Sequence, residues 1–190
     1  MSILKHYEEM QKLIAGIMAT DGQAKSIEFT AAAEKMIELI VSCRATGKKV
    51  IFIGNGGSAA IASHEALDSW KNAGIKAMVF NDAALLTCIS NDCGYEVVFA
   101  KPIEMFADQG DLLVAISSSG QSASIINGGK AAADKGCRII TLSGFQPDNP
   151  LRRMGELNFY VPSDSYGHVE IIHHSICHYV YDMIAERNKQ

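Results

Sequence analysis

His64 and Asp68 stand four residues apart in a helical pattern, so an imidazole and a carboxylate share one helical face. Toward the C-terminus Glu170, His174 and His178 repeat every four residues, with His173 beside them, among Ile171, Ile172, Ile176, Tyr179 and Val180. Carboxylate and imidazole together serve two chemistries: transfer of a proton between neighbouring carbons, or coordination of a divalent metal such as zinc. The spacing permits both, and it cannot show that the two helices meet.

Two loops have the composition of a phosphate site. Gly54-Asn55-Gly56-Gly57-Ser58 lies between an apolar run and a helical pattern. Glycine lets the backbone approach a ligand, and the new helix offers free N–H groups and its positive dipole end. The same residues fit the G-x-G-x-x-A dinucleotide fingerprint, with Asp82 near the end of the following strand. The second loop, Ser117-Ser118-Ser119-Gly120-Gln121-Ser122, follows another apolar run. A dinucleotide fold has no need of a polyserine turn, whereas hydroxyls and N–H groups can wrap a monophosphate, so a sugar phosphate is favoured over NAD. A third strand end, Leu142-Ser143-Gly144, reads as an ordinary turn.

These groups need a scaffold, and the pattern from residue 47 onward supplies one. Short β-rich runs at Val50–Ile53, Ala77–Phe80, Leu112–Ile116, Arg138–Leu142 and Leu157–Val161 alternate with helical segments at Ser58–Asn72, Ala83–Ser90, Val97–Asp108, Ser122–Lys135 and His168–Glu186. Pro102 is placed to bend the third of those helices. Alternation of this kind predicts an α/β fold, a doubly wound parallel sheet with helices on both faces. Residues 1–46 read as an N-terminal helical extension: a first helix with an apolar stripe at Ile3, Tyr7, Met10, Ile14 and Ile17, a break at Thr20-Asp21-Gly22, and a second helix from Ser26 to Arg44. A stripe of that kind must pack on its own domain or on another subunit, so oligomerisation is expected. With no repeat or linker dividing the chain, residues 1–190 are expected to form a single domain.

Composition narrows the partners. Of 190 residues, 48% are apolar and 20% charged, with 4 Pro against 16 Gly, which excludes disordered and collagen-like classes. Seventeen basic against 21 acidic residues give a net charge of −4 with no basic run, which argues against nucleic acid as a partner. No apolar stretch approaches the roughly 18–20 residues that cross a bilayer, and the N-terminus lacks the pattern of a signal peptide. A soluble, cytoplasmic protein is expected. The five cysteines are scattered and form no CxxC pair, which fits reduced packing groups.

The glycine turn followed by His64, Asn91-Asp92, the serine loop, and a final helix carrying His178 together resemble the SIS (sugar isomerase) domain family, and within it the phosphoheptose isomerases, from about residue 30 to 188. The resemblance implies an aldose–ketose isomerase converting sedoheptulose 7-phosphate to a manno-heptose 7-phosphate, as a homotetramer with sites shared between subunits. It implies that Ser117, Ser118, Ser119 and Ser122 hold the phosphate, while Asn55, Gly56, Gly57, Ser58, Asn91, Asp92 and Glu170 contact the substrate. It further implies catalytic roles for Asp68, Glu170 and His178, and one divalent metal, zinc, on His64, Asp68, Glu170 and His178, with no nucleotide cofactor. Two positions depart from the family: Asp68 stands where the family has a glutamate base, and Glu170 where it has a glutamine. A carboxylate drawn back by roughly 1.5 Å can lower a rate on the order of 10²-fold. Either Asp68 or Glu170 could therefore be the base. An isomerase of another sugar phosphate, a non-catalytic sugar-phosphate-binding regulator and, more remotely, a dinucleotide-dependent oxidoreductase are the other readings.

Overall fold

The structure, a computed structural model, describes residues 2–189. Five parallel strands, β3 (Val50–Gly54), β4 (Ala77–Val79), β5 (Leu112–Ser117), β6 (Arg138–Ser143) and β7 (Leu157–Tyr160), form the body of one sheet. Their spatial order is β7-β6-β5-β3-β4, so the chain leaves β3 for one neighbour and later returns to its other side as β5. That reversal opens a crevice outside the C-terminal ends of β3 and β5, where ligands bind in doubly wound sheets. Gly54 pairs with Ile116, so the two strand ends are flush and both loops start at the crevice.

Side chains that alternate along each strand build two cores. Val50, Phe52, Leu112, Val114 and Ile116 face one layer, made by α2 (Phe29–Ala45), α3 (Gly57–Lys71) and α7 (Tyr166–Arg187). Ile51, Ile53, Leu113 and Ala115 face the other, which includes α5 (Ala100–Phe106) and α6 (Ala123–Asp134). Burial on both faces explains why β3 and β5 read as continuous apolar runs. Within the first layer α3 packs along α7, bringing together the two helices whose meeting spacing alone left open.

Two expected features take a different form. The segment after α1 (Ile3–Ala15) is not a simple break between helices: β1 (Met18–Asp21) and β2 (Ser26–Ile27) form a hairpin, and β1 pairs antiparallel with β7. Asp21 makes the turn by accepting hydrogen bonds from the N–H groups of Gln23 and Lys25, both at 2.9 Å. Asn158 clamps the strand, donating to the carbonyls of Thr20 and Asp21. Strands this short are held by their neighbours rather than by their own propensity. In the stretch expected as one helix over Val97–Asp108, a 3₁₀ turn at Tyr95–Val97 precedes α5, and Pro102 falls in the first turn of α5. A proline there lacks only an N–H that has no helical partner, so it helps start the helix instead of bending one.

Candidate functional site

A cleft of about 240 Å³ lies at the crevice, lined by Asn55, Gly56, Gly57, Ser58, Ser117, Ser118, Ser119, Ser122, Tyr166 and Glu170. Two helices begin at it: α3 after the glycine turn and α6 after the serine loop. No lysine or arginine lines the cleft. What the cleft offers an anion is hydroxyls and two helix N-termini, set against the Glu170 carboxylate on its wall. Gly54 is obligatory here, whereas at Gly57 a side chain would have to displace a flexible neighbour. A Cβ on Gly54 would collide with the backbone of Ser58 and Ala59, and one on Gly57 would occupy the place of the Glu170 carboxylate.

The hydroxyls divide into those already engaged and those free. Ser117 Oγ accepts from the Gly120 N–H at 3.2 Å, and Ser119 Oγ accepts from the Gln121 N–H at 3.2 Å. Ser122 occupies the N-cap position of α6, yet its side chain makes no capping bond. Ser118 Oγ is buried without a hydrogen-bond partner. Asn55 ties the two loops together, donating from Nδ2 to Ser124 Oγ at 2.9 Å and accepting from the Tyr95 hydroxyl at 2.7 Å.

Further along both helices, α3 and α7 present imidazoles to each other. Asp68 Oδ2 lies 3.4 Å from His64 Nε2 and 3.8 Å from His178 Nδ1. The rings of His174 and His178 stack with centroids 4.4 Å apart, and His64 stands edge-on to both at 5.1 and 4.8 Å. His64, His174 and His178 each offer a ring nitrogen within 4.8 Å of the others, a group that could hold a metal ion. Burial, reinforced by the neighbouring His178 and His64 and opposed by Asp68, lowers the pKa of His174.

The structure thus gathers twelve of the candidate residues in two adjoining groups, nine at the cleft and three beyond it. Asn55, Gly56, Gly57, Ser58, Ser117, Ser118, Ser119, Ser122 and Glu170 line the cleft, while Asp68 lies with His64 and His178 beyond it. Glu170 sits between the two regions, since it also borders a shallower hollow with His64 and His174. Asn91 and Asp92 are not brought to the cleft: they lie near the end of α4 (Ala83–Cys93), exposed, with Asn91 donating to Asp92 at 2.8 Å. His173 belongs to the fold. Fully buried, with its pKa pushed down to about 4 by that burial, it lies 3.1 Å by Nε2 from the Ser143 carbonyl and ties α7 to the end of β6. The Leu142-Ser143-Gly144 turn is organised by Asn149, whose Nδ2 donates to Ser143 Oγ and to the Gly144 and Gln146 carbonyls.

Sequence reading missed one residue of the cluster and underused another. Glu65 is fully buried on the inner face of α3, its Oε1 3.3 Å from His174 Nε2 but misaligned for a hydrogen bond. Burial, with the Asp68 and Asp182 charges adding to it, pushes its pKa up to about 8. The available signal was a carboxylate in line with Ile61, Ala62 and Ala66 on the apolar side of a helix. His174 was visible on the helical strip but had no evident partner.

A doubly wound sheet whose switch point joins a glycine turn, a serine loop and an imidazole–carboxylate cluster is the architecture of the SIS domain, and the chain belongs to this family, whose match covers residues 7–144. Its relatives are more specific. It is 33% identical over 186 residues to the phosphoheptose isomerase of Aliarcobacter butzleri, covering 93% of this chain and 94% of the relative. It is 35% identical over 156 residues to that of Geobacter sulfurreducens, covering 79% and 82%. The structure of phosphoheptose isomerase GmhA from Neisseria gonorrhoeae superposes with a TM-score of 0.83 at 28% identity over 96% of both chains.

Proposed function

We propose that this chain is an aldose–ketose isomerase that interconverts sedoheptulose 7-phosphate and D-glycero-D-manno-heptose 7-phosphate. One observation carries the reading: a cleft of hydroxyls and two helix N-termini, with Glu170 on its wall, lies beside the α3–α7 cluster of imidazoles and the Asp68 carboxylate, in a chain of this family. The unpartnered hydroxyl of Ser118, the hydroxyl of Ser122, which accepts only a long 3.5 Å bond from Ser117, and the N-termini of α3 and α6 hold the phosphate. With that end anchored, the open-chain sugar extends toward Glu170 and the α3–α7 cluster.

There Asp68 or Glu170 removes a proton from C1 of the ketose, giving a cis-enediol, and returns a proton to C2. His178 moves the accompanying proton between the oxygens, O2 gaining one as O1 loses one. Asn55, fixed by Tyr95 and Ser124, orients the hydroxyls between the two ends. Asn91 and Asp92 reach a substrate only across a subunit contact, in keeping with a homotetramer whose sites lie at interfaces. The exposed Ile3, Leu4 and Tyr7 of α1 supply apolar surface for such packing. His64 and His178 belong with His174 to a group that could hold one divalent ion, which we take to be zinc, with Asp68 beside them and Glu170 bordering the same hollow; when bound it would polarise the substrate carbonyl. We place the protein in the cytoplasm and assign it no nucleotide cofactor; among the described residues no helix is long and apolar enough to cross a membrane.

Incubation with a panel of ketose and aldose phosphates, followed by NMR, tests the reading. Conversion of the seven-carbon pair above the others is expected, and turnover of a different pair alone would move the substrate while keeping the reaction.

A further inference from the structure

We propose that Tyr166 is a specificity-determining residue of the cleft, an aromatic wall that packs against the carbons and hydroxyls next to the phosphate, and that Phe145 is the positioning residue that holds it there. The inference rests on the sugar-phosphate reading of the cleft and concerns how the sugar, rather than the phosphate, is recognised.

Among the residues lining the cleft, Tyr166 alone is aromatic; its companions are small or polar. A polyol chain presents C–H and O–H groups side by side. A phenol answers both, with a flat apolar face and a hydroxyl that donates and accepts. Tyr166 opens α7, and Glu170 follows one turn later on the same face. Glu170 borders both the cleft and the hollow with His64 and His174, so the steps from Tyr166 to Glu170 to His174 run along α7 from the cleft toward the imidazole cluster. A sugar phosphate lying between the serine loop and that cluster therefore meets Tyr166 on the phosphate side of Glu170.

Tyr166 is 62% exposed, and it starts a helix whose cap residue, Ser165, makes no side-chain bond. A ring so placed samples several rotamers when nothing restrains it, and contact with substrate then costs that freedom. Phe145 supplies the restraint. The two ring centroids lie 4.8 Å apart at 74°, an edge-to-face pair.

Phe145 reaches this place in an uncommon backbone conformation. Its φ is +57°, in the left-handed region that a bulky side chain rarely adopts. The surroundings enforce it: the Phe145 N–H donates to the Ser163 carbonyl at 2.9 Å, and the Phe145 carbonyl accepts from the Tyr160 hydroxyl at 2.8 Å. At Gly144, just before it, a Cβ would collide with Val169 of α7 and crowd the Ser118 carbonyl of the serine loop. Glycine at position 145 would take the same φ without strain. A phenylalanine held there on both backbone groups, beside a ligand cleft, is strain of the kind that serves a site, and what it brings is the ring against Tyr166.

The test is calorimetric titration of the full-length chain with sedoheptulose 7-phosphate and, separately, with inorganic phosphate, paired with thermal melts. Inorganic phosphate reads the phosphate contacts alone, and the ratio of the two affinities reads the sugar. Tyr166→Ala should weaken sedoheptulose 7-phosphate roughly 10-fold or more, as the loss of an aromatic contact does, and leave inorganic phosphate within about threefold. Phe145→Gly should weaken the heptose phosphate about 3- to 10-fold, the range of an aromatic pair. Its melting temperature should stay within about 3 °C of the wild type, because relief of strain offsets the lost ring packing. Phe145→Tyr keeps the ring and should bind as the wild type does. Wild-type affinity for the heptose phosphate in Tyr166→Ala, or an equal loss for both ligands, overturns the inference while the phosphate site stands. Wild-type affinity in Phe145→Gly, or a loss that Phe145→Tyr shares, overturns the role given to Phe145. A wild type that binds sedoheptulose 7-phosphate no more tightly than inorganic phosphate ends the heptose reading and the inference with it.

Discussion

Replacing Ser122 by alanine separates two roles that its position allows. At a helix N-cap a serine normally accepts a hydrogen bond from the first turn, and its loss costs about 1 kcal/mol. Ser122 is the N-cap of α6 but makes no such bond; its Oγ lies only near Ser117 Oγ, at 3.5 Å. Stability should therefore change by less than about 0.5 kcal/mol, or roughly 2 °C in melting temperature for a chain of this size. Binding should change much more. A hydrogen bond to a charged group contributes about 1.5–3 kcal/mol, and about 1.4 kcal/mol is tenfold in affinity. KM for the heptose phosphate should thus rise roughly 10- to 100-fold. Since the phosphate does not react, its contacts are similar in ground and transition states, and kcat should stay within about twofold. Initial rates across substrate concentration, paired with a thermal melt of the same preparation, read both quantities. An unchanged KM with a melting temperature lowered by several degrees would refute the reasoning and make Ser122 a cap after all.

Asp68→Asn should abolish turnover if Asp68 is the base, whereas Glu170→Gln should leave it measurable; the reverse pattern moves the base to Glu170, and rate assays on both variants decide. Changing Ile3 and Tyr7, 64% and 62% exposed, both to glutamate should lower the mass seen by light scattering without loss of helical circular dichroism, and an unchanged mass would mean that α1 does not hold the subunits together. Burial pushes the Cys43 thiol up to about 11, and Cys177 is fully buried with its pKa raised further. Both should therefore react with a thiol reagent only at the rate of unfolding, since the thiolate is the nucleophile; mass spectrometry of the alkylated protein checks this.

What could be read from sequence follows the range of each interaction. Gly54 and Ser117–Ser122 were legible because a strand end, a tight turn and a helix start are local demands, met by local residue types. The parallel sheet was legible because β3 and β5 are buried on both faces and show it as unbroken apolar runs. The β1–β2 hairpin was not, since a four-residue strand takes its stability from β7, more than a hundred residues away, and from Asn158. Pro102 misled because its effect depends on where the helix begins. In the site, helical spacing put His64 with Asp68 and His174 with His178, but it carries no information on which side chain of one helix meets which of the other. The Glu65–His174 contact exists only after α3 and α7 pack, and a glutamate beside a histidine in sequence looks like any solvent-facing pair.

The most direct test of the central claim is to run the reaction in D₂O with sedoheptulose 7-phosphate and follow the sugar carbons by NMR and mass spectrometry. Proton transfer through an enediol at this site predicts deuterium at C2 of the aldose product and, with reversal, at C1 of the ketose, both lost in a variant lacking the base. A protein that binds the heptose phosphate in the cleft yet shows neither conversion nor exchange at either carbon would contradict the account and leave a binding protein in place of an isomerase.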